Sequence, residues 1–128
     1  MQPSQSLQSS QPQTQQDSET EGDDGVLEIS DGEMKRKVLM SNRVCVFDVY
    51  ASWCGPCKAI KGSYAQMAAR YNKPGACMLV RENESLKLSR DVRGFPTFKF
   101  FKEGEYLADK DVVGADLRSV ESTLRSLL

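Results

Sequence analysis

Histidine is absent from the 128 residues. Acid–base chemistry near neutral pH must then come from a group moved out of its ordinary range, and the commonest metal ligand is missing. The first 33 residues contain neither Lys nor Arg, which argues against both a basic secretory leader and an Arg-rich mitochondrial presequence. The longest largely apolar stretch, Val44 to Ala51, is interrupted by Asp48 and falls far short of the ~20 residues that cross a bilayer. The expectation is a cytoplasmic protein without a membrane segment. Four cysteines are too few for a disulfide scaffold of this length, and a Cys-x-x-Cys pair in such a setting points to catalysis or metal binding.

What is present is unevenly distributed. The net charge of −1 conceals eight acids and no bases in residues 1–33, so all 17 bases share the remainder with only ten acids, giving that part +7. Residues 1–25 are rich in Gln, Ser and acids, with no aromatic before Phe47. Such a segment cannot bury enough surface to offset its ordering entropy, and it reads as a disordered tail. Residues 26–128 are long enough for one domain. An acidic arm on a basic body suggests either a tail that folds back or a body that attracts acidic partners, although solvated charge is the commoner explanation.

Within the domain, strands and helices alternate. Val26 to Ile29 reads as a short strand, and Asp31 can cap a helix to about Met40. Val44 to Tyr50 has the β-branched and aromatic content of a strand covered on both faces. Cys57 to Tyr71 places Ile60, Tyr64, Met67 and Tyr71 on one helical face. Ala76 to Val80 is a second buried strand, and Ser85 to Asp91 a short helix. Thr97 to Phe101 and Tyr106 to Val113 form a hairpin about Glu103-Gly104, and Asp116 to Leu128 closes the chain as an amphipathic helix. The order β-α-β-α-β-α-β-β-α predicts an α/β fold, a central mixed β-sheet flanked by helices.

The chemical signal is Trp53-Cys54-Gly55-Pro56-Cys57-Lys58, where a buried strand turns into a helix. Unpaired backbone N–H groups and the helix dipole stabilise a thiolate there, making Cys54 the candidate nucleophile. Cys57, one turn later, can close a small disulfide with it and reopen it by exchange. Gly55 and Pro56 suit the tight turn into the helix. The competing readings are a metal site and a structural disulfide. Zinc needs four ligands, and the other thiols, Cys45 and Cys77, fall in buried strands without metal-site spacing. Redox chemistry is therefore preferred, with no metal.

The run Phe47 to Lys58, followed by Gly94-Phe95-Pro96-Thr97 and Val113-Gly114-Ala115, resembles thioredoxin, in order and at family spacing from about Val26 to the C-terminus. The resemblance implies the thioredoxin fold and a protein-disulfide reductase, since Cys-Gly-Pro-Cys is typical of thioredoxins whereas disulfide isomerases usually carry His at the third position. It gives Asp48 the role of proton acceptor for Cys57, commonly through water. A carboxylate in that apolar strand is desolvated, which raises its pKa; a solvent-facing strand position is the plainer alternative. The resemblance also makes the bond before Pro96 cis, leaving the backbone of Phe95 to pair with an extended substrate. Val113 and Gly114 complete that groove. Trp53, at its position before the nucleophile, reads as an exposed platform rather than core.

Three positions depart from the family. Gly62 stands where a helix-kinking Pro is usual, Cys77 where a Lys pairs with the buried Asp, and Arg81 on a strand end that is ordinarily acidic. Losing the Lys predicts a higher pKa for Asp48, and Arg81 reads as one more charge of the basic body. Cys45 and Cys77 are expected on opposite sheet faces, unbonded, as small core residues. The implied partners are disulfide-containing proteins and an NADPH-dependent thioredoxin reductase, with no bound cofactor beyond the Cys54–Cys57 pair, no nucleic acid and no membrane, the protein acting as a monomer. The alternative is a thioredoxin-fold binding module with little catalytic role.

Overall fold

Seven consecutive residues, Val44–Tyr50, form the central strand, and all but Tyr50 are buried. A strand this apolar on both faces is stable only between two layers, and its neighbours supply them. In the computed structural model, which describes residues 24–128, the elements are β1 (Leu27–Glu28), α1 (Gly32–Ser41), β2 (Val44–Tyr50), α2 (Gly55–Ala59), α3 (Lys61–Tyr71), β3 (Cys77–Asn83), β4 (Thr97–Lys102), β5 (Glu105–Tyr106), β6 (Val112–Val113) and α4 (Leu117–Leu127). The disordered reading of residues 1–23 lies outside the described residues.

The sheet order is β1-β3-β2-β4-β5, with β6 on the same edge of β4 as β5. Strands β1, β3 and β2 are parallel, and β4 to β6 add antiparallel partners. Side-chain alternation along β2 divides the core. Val44 and Val46 face α3 and α4, packing with Tyr64, Met67, Val120 and Leu124. Cys45, Phe47 and Val49 face the α1 side with Ile29 and Val38. Cys77 belongs to the first cluster and Cys45 to the second, both free thiols, as the strand parity predicts.

The helix ends follow from local chemistry. Asp31 caps α1 by accepting from Met34 N at 2.9 Å, and Asp116 caps α4 by accepting from Ser119 N at 3.1 Å. Tyr64 is fully buried, and its hydroxyl donates to Val80 O at 2.8 Å, fixing α3 to the sheet.

Three expectations are corrected. The single helix from Cys57 to Tyr71 is two, meeting at Ile60 (φ −98°, ψ 2°), so the break precedes Gly62 by two residues. Ser85 to Asp91 is not a helix: a 3₁₀ turn at Glu84–Leu86 ends where Lys87 takes φ 58°, and Asp91 takes φ 57°. Left-handed residues cannot continue a right-handed helix. The strand expected from Tyr106 to Val113 is interrupted by a 3₁₀ turn at Ala108–Lys110, leaving only the short β5 and β6.

Leu124 is fully buried between α4 and the sheet. Leu124→Ala is expected to cost about 2–5 kcal/mol, read in denaturant unfolding as a lower midpoint at an unchanged slope.

Candidate active site

Strand β2 delivers the chain to the site, and a tight turn converts it into a helix. Cys54 N donates to Ala51 O at 3.1 Å, and Cys54 then serves as the N-cap of α2. Cys57 N points at Cys54 Sγ at 3.1 Å, so a backbone donor already faces the sulfur. Gly55 and Pro56 occupy the first two helical positions, where a missing N–H costs nothing. Cys54 and Cys57 form a disulfide, with Cα atoms 5.3 Å apart.

The second wall comes from the loop before β4. The Phe95–Pro96 peptide is cis, and the carbonyl oxygen of Phe95 lies 3.5 Å from Cys54 Sγ. Gly114 N donates to Pro96 O at 2.7 Å, which brings the segment after β6 against this loop. Gly114 takes φ +105°, a conformation L side chains rarely adopt. Trp53 is 70% exposed and Val113 55%, whereas both cysteines are almost covered. The Trp53 ring meets Phe95 edge to face at 5.5 Å. Trp53 and Val113 thus stand out as exposed apolar side chains, Trp53 beside Phe95 and Val113 beside Gly94.

Behind the disulfide lies a cavity of about 210 Å³, lined by Asp48, Cys57, Lys58, Lys61, Glu28 and Arg81 among others. It has room for several waters, since one needs only ~10–15 Å³ of such volume. Asp48 is 2% exposed, and its Oδ1 makes no hydrogen bond within the protein. Burial pushes the carboxyl up from 3.8 to about 7, against a smaller opposing pull from Arg81. The solvent-facing alternative for Asp48 is therefore excluded.

Arg81 corrects the surface-charge reading. It is Asp48's register partner across the β2–β3 pair and is 4% exposed. Its guanidinium sits 5.7 Å from the Tyr64 ring centroid, donates to Lys61 O at 2.9 Å, and makes two bonds to Asp24, at 2.8 and 3.1 Å. Cys77 cannot supply a charge, its thiol being pushed up to about 11 by burial, yet a cation is present four residues later on the same strand face. Strand parity carries this signal, because residues 77, 79 and 81 point the same way. Asp24 was assigned to the tail and is bonded to the domain. Glu28 is a second carboxylate at the cavity, and it accepts from Tyr50 Oη at 2.7 Å.

Among the described residues no cluster of His, Cys, Asp and Glu could hold a metal, and no helix is long and apolar enough to cross a membrane. A disulfide closed over one helical turn, beside a cis-proline loop and a buried carboxyl, defines a dithiol–disulfide oxidoreductase. The thioredoxin family profile matches residues 25–126. Thioredoxin from Neurospora crassa is 33% identical over 111 residues, covering 81% of this chain and 87% of the relative. A solved thioredoxin from Schistosoma mansoni superposes with a TM-score of 0.67 at 28% identity, covering 80% of this chain and 95% of the other. Mitochondrial thioredoxin 3 from Saccharomyces cerevisiae shares the fold, with a TM-score of 0.70 at 23% identity over 80% of this chain and 95% of that one. The chain belongs to the thioredoxin family, and Cys54 and Cys57 form its redox-active centre.

The raised Asp48 carboxyl fixes a pH dependence of stability. The folded state holds this proton up to about pH 7 while the unfolded chain releases it near 3.8, so stability falls as pH rises between those values. Asp48→Asn is expected to be more stable than wild type at pH 8, by up to roughly 4 kcal/mol. The difference should close as the pH is lowered to 4, measured by denaturant unfolding at each pH.

Proposed function

We propose that the protein reduces disulfides in other proteins, with Cys54 as nucleophile, Cys57 as resolving thiol and Asp48 as the general base between them. The observation that carries this reading is the single cavity shared by Asp48 and Cys57 behind a nearly covered Cys54.

Cys54 at the start of α2 receives the Cys57 N–H, a contact that favours a thiolate over a thiol. The thiolate attacks one sulfur of a target disulfide, forming a Cys54–target bond while the other target sulfur leaves as thiolate. Cys57 then loses its proton to Asp48, through water in the cavity, and attacks Cys54 Sγ. The Cys54–Cys57 bond forms, the second target sulfur departs, and two electrons have passed to the target. A base titrating at about 7 is matched to this transfer, being largely unprotonated just above neutrality and still basic enough to accept.

Recognition is assigned to the rim. Trp53 and Val113 offer apolar contact on either side, and Phe95, Pro96 and Gly114 present backbone for an extended segment, with Gly55 and Pro56 shaping the floor. Few side chains take part, which fits a broad range of protein disulfides. The oxidised pair needs two electrons from outside, so the partner is an NADPH-dependent thioredoxin reductase or an equivalent reductant, and the place of work is the reducing cytoplasm, with the protein acting as a monomer. These functions need no bound cofactor beyond the cysteine pair.

Cys57→Ser is expected to accumulate a mixed disulfide with a reducible protein such as insulin, visible as an adduct by intact-mass analysis. Cys54→Ser is expected to give none. The opposite pattern, or adducts from both variants, would reverse the assignment of the two thiols.

A further inference from the structure

One buried ion pair stands apart from the reacting groups, between Asp24 and Arg81. Asp24 is the last acid of the arm before the domain, and it makes a bidentate bond with a guanidinium that itself has almost no exposure to water. We infer that Asp24 is a positioning residue for the redox site: by engaging Arg81 it keeps the guanidinium from closing an ion pair with Asp48, and so leaves that carboxyl free to accept a proton. The inference rests on the proposed role of Asp48.

The geometry supplies the reasons. Arg81 and Asp48 are register partners on adjacent strands and line the same cavity, so a direct pair lies within reach of the side chains. Yet the terminal nitrogens of Arg81 are directed to Asp24 and to Lys61 O, and Asp48 Oδ1 is left without a partner. Asp24 is held in turn by its bond from Val26 N at 3.2 Å. Competition between two carboxylates for one guanidinium is decided by the one with the two-bond geometry.

The titratable groups around Asp48 include Tyr50 on its own strand, at the cavity wall. Glu28 on β1 raises its proton affinity and Arg81 lowers it by charge alone. Lys61 and Tyr64 face it from α3, and Cys57 and Lys58 from α2. None of these offers Asp48 a hydrogen bond of the kind Arg81 gives Asp24. Removing the Asp24 carboxylate frees the buried Arg81 guanidinium between its two register partners, Glu28 on β1 and Asp48 on β2; its charge then acts more fully on Asp48, and an adjacent Arg lowers a carboxyl by about 1–3 pH units. The arm is thereby tied chemically to the redox centre through its final acid.

The test is a ¹³C NMR titration of the Asp48 carboxyl in the oxidised full-length protein. Asp24→Asn is expected to lower the midpoint by about one pH unit or more, Asp24→Glu to restore it, and Asp24→Asn in an Arg81→Gln background to change nothing further. An Asp48 midpoint in Asp24→Asn equal to that of the wild type would overturn the inference. The rate of mixed-disulfide resolution, followed against pH in Asp24→Asn, separates this from the base assignment. An acidic limb that moves down with the carboxyl supports both, whereas a moved carboxyl with an unmoved limb rejects Asp48 as base and leaves the Asp24 clasp standing.

Discussion

A carboxyl sealed into the central strand is the constraint to which the rest of the site answers. Asp48 occupies a position where every neighbour along β2 except Tyr50 is buried, and a charge there is strongly disfavoured by lost hydration. The structure surrounds Asp48 with a cavity on the helical side and a guanidinium on the adjoining strand. Each offsets part of the desolvation, and neither removes it. The result is a group that exchanges its proton near neutrality in a chain without histidine.

The position of the dithiol follows from the same strand. Because only a tight turn separates the end of β2 from α2, the cysteine pair sits just beyond the buried carboxyl, with Cys57 turned inward to the cavity and Cys54 toward the cis-proline loop. The two sulfurs thus have different surroundings despite being three residues apart. One faces the cis-proline loop and the other faces the cavity that holds the buried carboxyl. The stable two-layer packing by α3 and α4 against the sheet holds this division, with Tyr64 spanning from helix to strand beneath Arg81.

Much of this was legible in the sequence because its signals are local. The apolar run of β2, the cap at Asp31, the amphipathic spacing of the last helix and the Cys-Gly-Pro-Cys turn each depend on a few consecutive residues. What escaped depends on pairing between distant segments. The place of Arg81 needs the parallel register of β2 with β3, and the place of Asp24 needs Arg81 first. Composition alone counted both as surface charge, one on the body and one on the arm. The division of the active-site helix at Ile60, rather than at Gly62, is a break in the backbone at one residue (φ −98°, ψ 2°), which periodicity over fifteen residues averages away.

The departures from family pattern also acquire a common meaning. Cys77 places a neutral thiol at one end of the strand face, and Arg81 places a cation at the other, paired outward to Asp24. The central claim is that this carboxyl takes the proton from Cys57 during resolution. It is tested most directly by preparing a mixed disulfide on Cys54 and following its resolution in single-turnover experiments across pH, in wild type and Asp48→Asn. The expected result is a wild-type rate that climbs through a midpoint near 7, and a variant at least ~100-fold slower at neutral pH that has lost this midpoint. Equal rates and the same pH profile in both proteins would contradict it.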